Sequence, residues 1–269
     1  MKLPPHTYKK ISEPDICNIC LSPAKLTLDH VPPRSALPVA HAKVQPLFRH
    51  SGRHRLSQGG VKFRTLCQVC NGERLGTDYD KALLEMVRQA RRLHRNSSLL
   101  VQTPSIEIDP GKVVRAVFGH LLAAKDHTPR SRADEQMRAF FMDRTSVDPG
   151  DLNILYWAHP DRSIRMARDT VVIDFDGPQE TQQLRLDMLV WYPVGFIVCD
   201  RIPSHMSSRP PLNMPHMNHH LGQRVAHVPL RALASGVLEA WLNRTGKVTG
   251  APATTAYQAE HPRRIELEK

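Results

Sequence analysis

Two cysteine pairs of the same spacing, Cys17-x-x-Cys20 and Cys67-x-x-Cys70, carry the clearest chemistry in this 269-residue sequence. A Cys-x-x-Cys knuckle presents two thiolates to one ion, and two knuckles complete a tetrahedral Zn²⁺ site with no open coordination position. Such a site is a staple, and it leaves any reaction to other groups. The alternatives are disulfides, disfavoured in a cytoplasmic chain, and four unconnected thiols, which would not need paired spacing. The fifth cysteine, Cys199, stands alone in an apolar run and reads as a small buried hydrophobe.

The second set of reactive types lies between and just beyond the knuckles. Asp29 and His30 are neighbours in Leu26-Thr27-Leu28-Asp29-His30-Val31, a short alternating stretch that Pro32-Pro33 terminates. On a strand their side chains leave opposite sides of the backbone, so they suit two separate jobs. The carboxylate can hold a hard divalent cation through oxygen, and the imidazole can take a proton from water. Asn71 directly follows the last cysteine, so a zinc staple would present its amide oxygen to the Asp29 strand as a second, neutral ligand. An Asp-His dipeptide alone is common and most surface histidines have no special role. Its position between two knuckles, with Asn beside the fourth cysteine, is what gives it weight.

These segments, Cys17-Asn18-Ile19-Cys20, Leu28-Asp29-His30-Val31-Pro32-Pro33-Arg34-Ser35 and Leu66-Cys67-Gln68-Val69-Cys70-Asn71, resemble the HNH or ββα-metal endonucleases. The likeness is to the four-cysteine branch that includes phage recombination endonuclease VII, and it covers about residues 17 to 80. The resemblance implies that Asp29 and Asn71 hold Mg²⁺ or Mn²⁺ and that His30 is the general base. Many members place a bracing Asn five residues before the third cysteine; here that position is Lys62. His41, His50 and His54 are alternative braces, though each also reads as an ordinary loop histidine.

The elements that must position these groups follow from patterning. Leu26–Val31 and Val61–Leu66 alternate and should pair, with residues 34 to 60 as a loop-like insertion. A helical turn is expected over Asn71–Leu75, ending at Gly76, and Thr77 and Asp80 have capping-box spacing for a second helix with Leu83, Met86, Val87, Ala90 and Leu93 on one face. Lys112–Lys125 and Ala133–Asp143 read as amphipathic helices. Asn153–Ala158, Thr170–Phe175 and Leu184–Asp200 read as strands, the last broken near Pro193 and Gly195. The His-rich stretch 203–227 reads as a loop more readily than as a soft-metal site, and a helix is expected near Leu230–Leu242.

The expected architecture is α+β: a zinc-stapled ββα-metal domain over 1–98, an α+β domain over 99–245 with helices followed by a mostly antiparallel sheet, and a flexible tail over 246–269. Charge divides at the same place. Residues 1–95 hold 17 Lys and Arg against 7 Asp and Glu, a net +10, and the remainder holds 20 against 19, a net +1. A basic first segment suits nucleic-acid phosphates, although a solvated basic face would have the same composition. Arg34, Arg53, Arg55, Lys62, Arg64, Arg88, Arg91 and Arg92 are the candidate phosphate contacts. Those late in the Leu83–Leu93 helix also complement its dipole.

An aromatic content of 6% offers no stacking platform for single strands, which favours duplex DNA as partner and leaves RNA open. A neutral second half suits a protein partner or homodimer contact, and by analogy an effector of a phage-defence system. A non-catalytic zinc module that binds nucleic acid or protein is the alternative to a nuclease. No apolar run of about 18 residues is present and Met1–Lys10 lacks a signal-peptide core, so a cytoplasmic protein with no membrane partner is expected.

Overall fold

The chain was analysed as a computed structural model that describes residues 7–9, 13–36, 41–46, 55–58, 60–95, 104–161, 163–174, 182–202, 214–232, 249–250 and 256–260. The alternating stretches flanking the insertion form Leu26–His30 (β2) and Lys62–Cys67 (β5), which pair antiparallel with Asp29 opposite Phe63 and His30 opposite Lys62. A bulge between Thr27 and Leu28 shifts the register, so Leu28 faces Arg64 and is exposed while Asp29 turns inward. Thr7–Lys9 (β1) adds to β5 in parallel, and Tyr8 stacks on Phe63 at 4.7 Å between ring centroids.

The helix after the last cysteine does not stop at Gly76. Val69–Tyr79 is wound as a π-helix and runs without a break into Asp80–Arg95 (α1). The wider wind is visible in two five-residue hydrogen bonds, Thr77 Oγ1 to the Gly72 carbonyl at 2.7 Å and the Asp80 N–H to the Leu75 carbonyl. Thr77 therefore bonds back into the helix instead of capping a new one. The apolar face expected for α1 is buried at Leu83, Met86, Val87 and Ala90.

The insertion also contains structure: His41–Pro46 (β3) and Arg55–Gln58 (β4) form an antiparallel pair. Ser105–Ile108 (β6) then leads into Pro110–Ala123 (α2). Asp109 caps this helix by accepting from the Lys112 N–H at 3.0 Å, and Pro110 fills the first turn, where its missing N–H costs nothing. Every α2 residue except Lys112 is buried, so a helix expected to be amphipathic is instead enclosed on all sides. Arg132–Met142 (α3) starts at a capping box in which Ser131 and Asp134 satisfy each other's backbone N–H.

The sheet that follows consists of Asn153–Ala158 (β7), Ser163–Asp174 (β8), Gln182–Trp191 (β9) and Val194–Cys199 (β10), with Thr249–Gly250 (β12) and Ala256–Glu260 (β13) from the end of the chain. It is antiparallel in the order β4-β3-β13-β8-β9-β10-β7, with β12 alongside β8. Two expectations change here. Within 246–269, read as a mobile tail, β13 pairs with both β8 and β3 and so joins the insertion to the sheet. And β8 begins seven residues before Thr170, because a bulge at Ala167–Thr170, with Asp169 at φ 53°, interrupts the alternation that would have shown it.

Ala226–Pro229 (β11) pairs with β6, so part of the expected 203–227 loop is ordered by pairing. Residues 96–98, where a boundary was expected, and most of the expected helix at 230–242 lie outside the described residues. One apolar core runs from Cys17 and Phe63 through Leu83, Val117 and Phe141 to Trp191 and Val228, and a second cluster, including Trp157, Met188 and Cys199, also forms on the sheet. No helix among the described residues is long and apolar enough to cross a membrane.

Candidate functional site

The two knuckles converge. Four thiolates at about 2.3 Å from one tetrahedral ion stand about 3.8 Å from one another; Cys20 and Cys67 Sγ are 3.8 Å apart, and the four sulfurs of Cys17, Cys20, Cys67 and Cys70 all lie within 4.8 Å of each other. Backbone N–H groups already point at sulfur, from Cys67 to Cys17 Sγ at 3.3 Å and from Cys70 to Cys67 Sγ at 3.5 Å. A hydrogen bond from Cys70 pulls the Cys17 thiol down to about 4, while the bond to Cys17, burial and the nearby negative charge hold the Cys70 thiol up. Without a cation the cluster favours a thiolate at Cys17 and opposes one at Cys67 and Cys70; an ion removes that conflict. The donor set is compatible with structural zinc.

Two hydrogen bonds to β2 hold Asn71, which follows the last cysteine of the cluster. Its amide donates from Nδ2 to Thr27 Oγ1 at 2.9 Å and to the Leu28 carbonyl at 3.1 Å. That carbonyl can only accept, which fixes the NH₂ end against β2 and turns Oδ1 the other way. Asn71 is thus seated on the strand beside Asp29 through its NH₂ end, whereas the sequence reading expected its amide oxygen to face that strand. Asp29 is buried, and His30 is half-buried with Nε2 enclosed and without a hydrogen-bond partner. Burial, followed by the charge of Lys62 across the β2–β5 ladder, lowers the His30 pKa, against a smaller opposing effect of Asp29.

The site also contains residues that the sequence reading did not select. His120 of α2 is fully buried between two carboxylates: Nδ1 lies 2.9 Å from Asp29 Oδ2 and Nε2 lies 2.9 Å from Asp80 Oδ1. Although burial opposes its charge, Asp29 and Asp80 push its pKa up to about 10. The signal was available, since a histidine in a helix apolar on every side must find a polar partner. Asn18, inside the first knuckle, donates from Nδ2 to the carbonyls of Leu122 and Lys125, each at 3.0 Å, and Thr65 Oγ1 donates to the Ala123 carbonyl at 2.7 Å. The knuckle therefore caps the C-terminus of α2.

The eight basic candidates do not form one track. Arg34 and Arg64 are exposed, the latter bonded to the Leu26 carbonyl at 3.1 Å, and Lys62 is half-buried facing His30. Arg88 and Arg92 are exposed but paired with Glu85, and Arg91 donates to the Ala36 carbonyl. Arg53 lies outside the described residues, as do His50, His54 and the side chains of Arg55 and His41. Cys199 is buried in the sheet, and burial, helped by Asp200, pushes its thiol up to about 12.

A hard divalent cation needs oxygen ligands, and one or two protein oxygens suffice where substrate phosphate completes the set. Asp29 Oδ1 and Asn71 Oδ1 are of that type. Among the described residues, the cysteine cluster is the only group of three or more His, Cys, Asp or Glu close enough to hold an ion. Comparison with protein-family models, with curated proteins and with solved structures gives no match.

Proposed function

We propose that the chain is a metal-dependent endonuclease of HNH type that hydrolyses DNA phosphodiester bonds, with His30 as general base and Asp29 and Asn71 as ligands of the catalytic Mg²⁺ or Mn²⁺. One juxtaposition carries the reading: Asn71, which follows the last cysteine of the cluster, is hydrogen-bonded to the strand that bears Asp29 and His30. His30 would take the proton of the attacking water. Asp29 and Asn71 would orient the scissile phosphate through their shared ion. When bound, that cation supplies neutralisation of the charge growing on the phosphoryl oxygens and the departing 3′-oxygen. The products would carry 5′-phosphate and 3′-hydroxyl ends.

A non-catalytic zinc module is the second reading, favoured by Lys62 opposite His30 and by the hydrogen bond that already engages Asp29 Oδ2. Plasmid nicking with Mg²⁺ or Mn²⁺, with an EDTA control, separates the two. Metal-dependent nicks that vanish in EDTA support the nuclease. Inactivity with every metal and with both DNA and RNA, in protein that retains zinc and binds DNA, supports the module.

A further inference from the structure

His120 lies 91 residues from Asp29 in sequence, beyond the segment that carries the cysteines, yet it makes the only described hydrogen bond to that carboxylate. It has no freedom to swing away. Asp80, at the start of α1, receives its other nitrogen, and α2 is seated against the zinc-stapled segment by Asn18 and Thr65 at its C-terminal end. Close packing brings it within reach, since at Gly119 even an added Cβ would stand 2.8 Å from Leu75 and Phe141.

A carboxylate on a strand can rotate about its side-chain bonds. One tethered through Oδ2 to a fixed ring cannot, and its Oδ1 direction is set. Protein groups that hold a metal ligand in this way govern affinity for the ion, not the identity of the chemical step.

We propose that His120 is the positioning residue of the cation site: clamped by Asp80, it holds Asp29 through Oδ2 so that Oδ1 faces the ion shared with Asn71. The inference rests on the nuclease reading. It makes the chain beyond the cysteine-bearing segment part of the centre, since α2 supplies a group without which that segment's metal ligand is unaimed.

The test is Mn²⁺ binding by full-length, zinc-loaded protein, read from the loss of the free-ion electron paramagnetic resonance signal, alongside cleavage as a function of Mn²⁺. His120→Leu is expected to weaken Mn²⁺ binding by about 10- to 100-fold, with cleavage recovering when Mn²⁺ is raised by the same factor. His120→Asn, whose Nδ2 N–H takes the place of Nδ1–H against Asp29, is expected to recover most of the affinity. Should the Leu variant lose zinc or helix content, Asp80→Ala replaces it, with weaker binding again expected because the ring is no longer clamped.

Asp29→Asn locates the outcome. If its titration matches that of wild type, no ion is held there and the nuclease reading itself fails. If Asp29→Asn weakens binding while the folded His120→Leu variant, or Asp80→Ala in its place, overlays wild type, the positioning role alone is overturned.

Discussion

Replacing Asp134 by Asn should destabilise the protein by about 3–5 kcal/mol at neutral pH, and the loss should shrink in acid. Asp134 is fully buried at the start of α3. It meets Arg168 of β8, itself fully buried, and Lys125 just beyond α2 at 2.6 Å. Arg168 also reaches Asp187 of β9 at 2.6 Å, Lys125 reaches Asp169 at 2.6 Å, and Arg185 pairs with Asp169. Three cations thus face three carboxylates, and a neutral amide in place of Asp134 would leave one positive charge unmatched where water cannot reach it. Asn preserves the size of the side chain and one accepting oxygen, and since both carboxylate oxygens accept in the native protein its NH₂ also meets a donor, which adds to the cost of the lost charge. The predicted cost is a large share of a typical total stability of about 5–15 kcal/mol.

The pH dependence follows from the same contacts. Burial alone would raise the Asp134 carboxyl, but Arg168 and Lys125 outweigh it and hold the group well below its ordinary value of 3.8. A carboxyl depressed in the folded state contributes its stability above that ordinary value and loses it as pH falls toward the folded one. Urea unfolding of wild type and Asp134→Asn, followed by circular dichroism, should therefore show the full gap at pH 7 and a narrowing gap below about pH 4. Zinc release in acid affects both proteins and cancels in the difference. A gap under about 1 kcal/mol at pH 7, or one that stays constant into acid, would refute the charge-balance argument.

Stripping zinc with a chelator should unfold the β2–β5 region, because structural zinc contributes about 10–16 kcal/mol in small zinc modules; four thiols should become reactive together, and an unchanged circular dichroism spectrum after verified zinc loss would exclude the staple. His30→Ala should lower cleavage by about 10²- to 10⁴-fold with DNA affinity unchanged in a gel-shift titration, and equal loss of both in folded protein would remove His30 from the reaction. Gly119→Ala should lower stability by about 1–3 kcal/mol despite alanine's better helix propensity, since its Cβ would press on buried Leu75 and Phe141; a more stable variant in thermal melts would mean that α2 does not pack this closely.

Local chemistry made much of this architecture legible. The paired cysteine spacing anticipated four converging sulfurs, period-2 alternation anticipated the β2–β5 ladder, and apolar periodicity anticipated the α2 helix but as amphipathic, not as buried on all sides. What escaped depends on partners distant in sequence. The β3 residues His41–Pro46 read as loop although they pair locally with β4, and their other edge is covered by β13, more than 200 residues later. Gly76 resembles a helix stop, but Thr77 bonds back to Gly72 and the wider wind carries on. Polar exceptions in and just beyond α2 held the missing information. A buried helix tolerates His120 and Lys125 only if carboxylates wait for them, and those carboxylates are Asp29 and Asp80 for one, Asp134 and Asp169 for the other.

That arrangement makes α2 the element through which the cysteine-bearing segment and the sheet depend on each other. Its C-terminal carbonyls are capped from the first zinc knuckle, its histidine sits between carboxylates of β2 and α1, and Lys125 just beyond it is held by α3 and the β8 bulge. Loosening the sheet end of this chain of contacts should therefore be felt at Asp29. Asp134→Asn, which touches no candidate ligand, ought to weaken Mn²⁺ binding as well as stability if α2 transmits the change. Intact Mn²⁺ affinity in that variant, with β8 and α3 demonstrably destabilised by hydrogen exchange, would show that the bond between His120 and Asp29 survives on the zinc knuckle and Asp80 alone.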